Sequence, residues 1–234
     1  MLAAALASWL LAASASAQST LPLKIWDIAL GTPVAALPFN DFVDPACGTN
    51  GGPPARVLKG FEDFAQCPVD RQTELREIWF RYDDEREYIA RARRSELLIR
   101  QYSANTLAGQ PIVTSLLIND AGLVEGYRIV TDQRASGSTR GAAYGLADIF
   151  KGMVHGPGLV CNDLPAAEGE RPVQDLFVKQ VCERRYDGRL ALVEARHYFK
   201  PGQHAVDPND NRVTENLFES SARLEVYRSP AAAR

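Results

Sequence analysis

Hydrophobic and polar positions alternate most regularly in residues 109–132, GQPIVTSLLINDAGLVEGYRIVTD, where two apolar runs meet at Asn119, Asp120, Ala121 and Gly122. Period-two alternation predicts two β-strands, and the polar tetrapeptide predicts a hairpin turn with Gly122 at a left-handed position. In the first strand Ile112, Thr114, Leu116 and Ile118 share one face, and Val113, Ser115 and Leu117 the other. In the return strand Val124, Gly126, Arg128 and Val130 oppose Leu123, Glu125, Tyr127 and Ile129, which leaves its inner face open. A lone hairpin is marginal in water, so the flanking chain has to supply partners.

Upstream, 23–30 is apolar enough for a short strand, and Thr32 and Pro33 read as the cap and first position of a short helix burying Val34 and Leu37. Residues 42–54 hold Pro45, Gly48, Gly51, Gly52, Pro53 and Pro54 and predict a loop. Val57, Leu58, Phe61, Phe64 and Ala65 recur at helical spacing and predict a buried-faced helix over 55–66. The stretch 75–82, LREIWFRY, predicts a strand with Ile78, Phe80 and Tyr82 on one face. Asp83 and Asp84 then turn the chain into 85–93, read as a second strand with a helix as the alternative, and 95–107 holds a short helix.

Downstream, the polar stretch 133–141 reads as a linker. A helix over 139–154 would carry Leu146, Ile149, Phe150 and Met153 as its apolar stripe. Strands at 177–185 and 190–199 are joined by the tight turn Asp187-Gly188, a polar loop fills 201–216, and a last strand runs over 218–226. The fold class that follows is α+β: antiparallel β-meanders with helices packed on one face, in two sheets. The halves 18–132 and 142–228 follow a similar order, ahead of a flexible tail at 229–234. No residue string aligns between them.

Residues 1–17, MLAAALASWLLAASASA, contain no ionisable side chain and end in the small-x-small pattern Ala15-Ser16-Ala17. They predict an export signal cut before Gln18, with the periplasm or the medium as destination. The apolar run is too short for a bilayer core of about 30 Å, so no transmembrane segment is expected in the mature chain. Removing it leaves 217 residues (234 − 17) at an unchanged formal charge of −3. Charges of both signs are interspersed, which argues against a nucleic-acid partner.

Cys47 and Cys67 are separated by 20 residues, Cys161 and Cys182 by 21. In an oxidising compartment these four predict two local disulfides out of three conceivable pairings. A four-cysteine metal site would need a close Cys pair, and none is present.

The sequence lacks GxSxG, HExxH, GxGxxG and CxxC, so no catalytic residue, metal ligand or cofactor is assigned. Gly48 to Gly52 has the glycine content of an anion-holding nest without the Lys and Ser/Thr of a nucleotide loop. Asp207, Asn209, Asn211 and Glu215 are spaced like calcium ligands, but Arg212 stands at the sharp-turn glycine and Phe218 at the bidentate glutamate. The candidate binding residues are Trp79, opposite in parity to Ile78 and Phe80, Tyr127, and the group His197, His204, Asp207 and Asp210.

The string Leu30-Gly31-Thr32-Pro33 with Leu37, and the hairpin Ser115 to Thr131, resemble two-layer envelope modules. Those modules are the SmpA-type outer-membrane assembly lipoproteins and the β-lactamase-inhibitor proteins. The resemblance covers about a third of the chain and implies fold alone. No cysteine stands directly after the cut, where Gln18 lies, a departure from the lipoprotein group. The functional expectation is an exported, non-enzymatic binding or adaptor protein for a protein or small-molecule ligand of the envelope. Its rivals are a hydrolase using His197 or His204 with a nearby Asp or Glu, and a structural envelope protein.

Overall fold

The computed structural model describes residues 23–37, 41–135, 137–202, 204–206, 213–215 and 218–228. The export-signal segment, Asp207, Asp210 and the tail fall outside them.

The longest strands follow the alternation read from the sequence. They are β2 (Arg76–Tyr82), β4 (Gln110–Ile118), β5 (Val124–Thr131), β7 (Val178–Tyr186), β8 (Arg189–Phe199) and β11 (Phe218–Arg228). With β1 (Phe42–Cys47), β6 (Val160–Asp163) and the short β3 (Thr106–Leu107), they form one antiparallel sheet. Its order is β1-β2-β4-β5-β11-β8-β7-β6, with β3 paired to β4. β9 (His204–Val206) and β10 (Val213–Glu215) pair separately within the stretch read as a loop. The helices are α1 (Glu85–Ala92), α2 (Glu96–Tyr102), α3 (Gly137–Gly141) and α4 (Leu146–Met153).

One pairing governs the architecture. β11 lies between β5 and β8, with Leu224 opposite both Ile129 and Val193. Strands from both halves of the chain therefore share one sheet, where two were expected. β11 can do this because it alternates cleanly over eleven residues and is largely buried, the burial of a central strand.

Alternation gives the sheet two unlike faces. On one, Ile78, Phe80, Ile112, Leu116, Ile129, Val193, Ala222 and Leu224 join a single core cluster. Leu146, Ala147, Phe150 and Val154, from α4 and the residue after it, belong to the same cluster. Rings of Phe42, Phe61, Phe80 and Tyr82 meet at centroid distances of 4.4 to 6.1 Å. The opposite face carries Glu77, Trp79, Ser115, Arg128, Ser221, Arg223, Glu225, Glu194 and Arg196.

Several local expectations are corrected. Residues 85–93 form a helix, so β2 pairs directly with β4. Residues 42–47 form an edge strand, where Pro45 is tolerated because an edge needs fewer backbone donors. Residues 55–60 run alongside β1, leaving Val57 81% exposed, and only Phe61–Gln66 coils, as a 3-10 turn. Val34–Ala36 is likewise a 3-10 turn, and the Thr32 hydroxyl donates backwards to the Ala29 carbonyl. The helix read over 139–154 is broken into α3, a 3-10 turn and α4; its buried stripe is Leu146, Ala147, Phe150 and Val154, with Ile149 and Met153 facing out. A register shift at Leu117/Ile118 lets Val124 and Ile129, of opposite parity, both reach the core.

Both disulfides pair as read, Cys47 with Cys67 and Cys161 with Cys182. Gly126 marks a close approach, since a Cβ there would stand 2.4 Å from Tyr227 Cβ and 2.5 Å from the Val226 carbonyl oxygen. Backbone cannot step aside as a side chain tip can. Gly126→Ala is expected to cost about 1–3 kcal/mol by prising β5 from β11, measured as a lowered urea midpoint. An unchanged midpoint would contradict that packing.

Candidate functional site

The polar face is organised around one buried cation. Arg128 on β5 is 1% exposed, yet its guanidinium meets Glu77 of β2 at 2.5 Å and Glu225 of β11 at 2.6 Å. Asp70, in the loop before β2, faces the remaining nitrogen at 3.7 Å. Register explains the placement. Arg128 stands opposite Ser115 on one side and Glu225 on the other, and Glu77 lies one row away opposite Leu117. A charge this deep persists only when paired.

The loop carrying Asp70 is held by its own carboxylate. Asp70 Oδ1 accepts from the amides of Gln72 at 2.8 Å and Thr73 at 3.0 Å, leaving Oδ2 for Arg128. Burial alone would raise its carboxyl. The amides of Thr73 and Gln72, with the charge of Arg128, outweigh that and hold it below the ordinary 3.8.

A second loop crosses the same face. Residues 48–52 project from the Cys47 end of β1 and press on the sheet, Gly48 donating its amide to the Glu77 carbonyl at 2.9 Å. Asn50 donates its amide to Glu77 Oε2 at 2.7 Å. A Cβ on Gly48 would lie 2.3 Å from the Glu77 carboxyl carbon, so a side chain there would displace the Glu77 carboxylate. Asn50 also accepts from Arg223, through its carbonyl at 3.0 Å and its side-chain oxygen. The nest-like glycine run does hold an anion: the protein's own Glu77.

Between these loops the sheet forms a floor. A cleft of about 450 Å³ is lined by Asn50, Gly51 and Gln72 at its rim, and by Val130, Leu192, Glu194, Arg196, Glu219, Ser221, Arg223 and Glu225 beneath. Charges alternate across the strands, with Arg128 opposite Glu225, Arg223 opposite Glu194 and Ser221 opposite Arg196. Glu194 and Arg196 pair at 2.6 Å and remain partly exposed. Counting the buried group below, five carboxylates (Asp70, Glu77, Glu194, Glu219, Glu225) stand against three guanidiniums (Arg128, Arg196, Arg223), a balance of −2.

The candidates that fall among the described residues are not brought together. Trp79 is half-buried on the polar face, in a separate 260 Å³ hollow with Arg81, Val113 and Arg134. Tyr127 points the other way and packs on the core. His197 is on the core face too, 7% exposed, its ring centroid 4.5 Å from that of Tyr144 and 5.2 Å from that of Phe218. Its Nδ1 has no hydrogen-bond partner among the described residues. His204 lies in β9. Missed by the sequence reading were Glu77, Arg128 and Glu225, although each is a charge inside a predicted strand, and Arg128 and Glu225 stand between apolar neighbours.

Burial pushes the His197 imidazole below its ordinary 6.5. A group depressed in the folded state contributes stability above its unfolded value, and that stability drains away as pH falls. For His197 the loss begins below pH 6.5, and for Asp70 below pH 3.8. His197→Phe, which keeps a ring against Tyr144, is expected to abolish the first decline and retain the second in urea unfolding measured across pH. A decline starting at 6.5 in that variant would contradict the assignment.

No protein-family model, curated protein or solved structure matches the chain, so the case for this site rests on its own residues and their geometry.

Proposed function

We propose that this is an exported, non-enzymatic binding protein which holds a polar ligand in the cleft on the open face of the sheet. The observation that carries the reading is the cleft itself: a rigid floor of alternating charged side chains, partly exposed and anchored from below by the Arg128 group. Floors built on strands present polar groups at fixed spacing, and preformed polar groups give specificity at low ordering cost. Carboxylates outnumber guanidiniums, so the matching ligand brings hydrogen-bond donors in excess, as hydroxyl- and amide-rich molecules do. Two disulfides favour an oxidising compartment, which with the pattern at 1–17 points to the periplasm or the medium.

The hydrolase reading finds less support. Among the described residues His197 has no carboxylate to orient it, and a general base needs hydrogen-bond reach to its partners.

Titration calorimetry with chitohexaose and with a polar hexapeptide tests the proposal. Saturable binding of one of them, weakened at least about tenfold by Glu194→Ala/Arg196→Ala, is the expected result, since a hydrogen bond to a charged group is worth roughly 1.5–3 kcal/mol. Heat from neither probe, or equal binding by the variant, would count against the cleft.

A further inference from the structure

We propose that the α1–α2 hairpin docks the protein peripherally onto an anionic lipid surface. In α1, Glu87 and Ala90 face the protein interior, which turns Tyr88 (73% exposed) and Ile89 (41% exposed) outward. Across the turn, Leu97 at the start of α2 is 76% exposed. Large apolar side chains this accessible, grouped on one hairpin, have no role in the core.

The cations beside them give the partner its chemistry. Arg93 and Arg94 form the turn and are exposed, with no side-chain partner among the described residues, whereas Arg91 is paired with Glu87. Residues 86–97 hold four arginines (86, 91, 93, 94) against two glutamates (87, 96), a local charge of +2 in a chain of −3. Arginines flanking an aromatic and two aliphatic side chains on a short helical element match the acyl–headgroup boundary of a negatively charged bilayer. An acidic protein or polysaccharide would use the arginines but leave Leu97 and Ile89 without a partner. No helix of the described residues is long and apolar enough to cross a membrane, so the contact is made from one side. This surface is independent of the cleft.

The test is co-sedimentation of the disulfide-bonded protein with vesicles of phosphatidylcholine alone and of an equal mixture with phosphatidylglycerol. Binding is expected only to the mixture, and to weaken as salt is raised. Arg93→Gln/Arg94→Asn should reduce partitioning on the order of 30-fold, from the attraction of each arginine to such a surface. Asparagine is chosen because Arg94 has φ +52°, a backbone it tolerates. Leu97→Gln should weaken binding as well while leaving the salt dependence in place. These positions are exposed, so thermal unfolding is expected to be unchanged and serves as the control for folding. Equal binding to both vesicles, no binding to either, or binding indifferent to Leu97→Gln while soluble heparin competes fully would each overturn the proposal.

Discussion

Arg128→Met is expected to lower stability by about 3–5 kcal/mol at neutral pH, the largest effect of any single exchange considered. Methionine roughly fills the volume of the arginine stem but leaves Glu77, 5% exposed, without a cation and Glu225, 3% exposed, with Arg223 alone. The penalty is one of stranded charge more than of lost volume. The triple exchange Glu77→Gln/Arg128→Met/Glu225→Gln removes all three charges and should recover much of the loss. Urea unfolding followed by circular dichroism at neutral pH reads each case. A loss under about 1 kcal/mol for Arg128→Met would mean water already solvates the group.

Cys47→Ala/Cys67→Ala comes second, at about 3 kcal/mol for opening a loop of this length plus the void left by two sulfurs. Both cysteines are 1% exposed and belong to the main core cluster. Removing Cys161–Cys182, with a nearly equal separation of 21 residues, carries a similar chain-entropy term. Cys161 is exposed on the edge strand β6, so the smaller void there should make that variant the milder one. The first bond also anchors the root of residues 48–52, whose Asn50 bridges Glu77 and Arg223. Its loss should therefore weaken cleft binding, while loss of the second should not. Equal effects of the two variants on stability and on binding would contradict the anchoring role.

The parts of this fold legible in the sequence are those fixed by neighbours in the chain. The β4–β5 and β7–β8 hairpins are each closed by a short turn and alternate every second residue, and local spacing also indicates the disulfide pairs. The insertion of β11 was not legible. Pairing Leu224 with both Ile129 and Val193 brings together segments far apart in sequence, and no local pattern encodes the choice of neighbour. β1 was hidden by Pro45 and the glycines after it, which read as loop wherever an edge position is not known in advance. Along α4 the buried stripe takes Ala147 and Val154 in place of the expected Ile149 and Met153.

The cleft was hidden for a related reason. Glu77, Arg128 and Glu225 come from three strands, and only their register makes them one group. Histidines and aromatics drew notice because their chemistry is distinctive one residue at a time. Yet Tyr127 and His197 lie on the core face, away from the polar floor.

The central claim is that the polar face of the sheet, above Arg128, is where ligand is held. Chemical-shift mapping of backbone amides during titration with the ligand that calorimetry identifies addresses it most directly. Perturbations confined to Asn50, Gly51, Glu194, Arg196, Ser221 and Arg223 are the predicted result, and perturbations centred on α4 and His197 would contradict it.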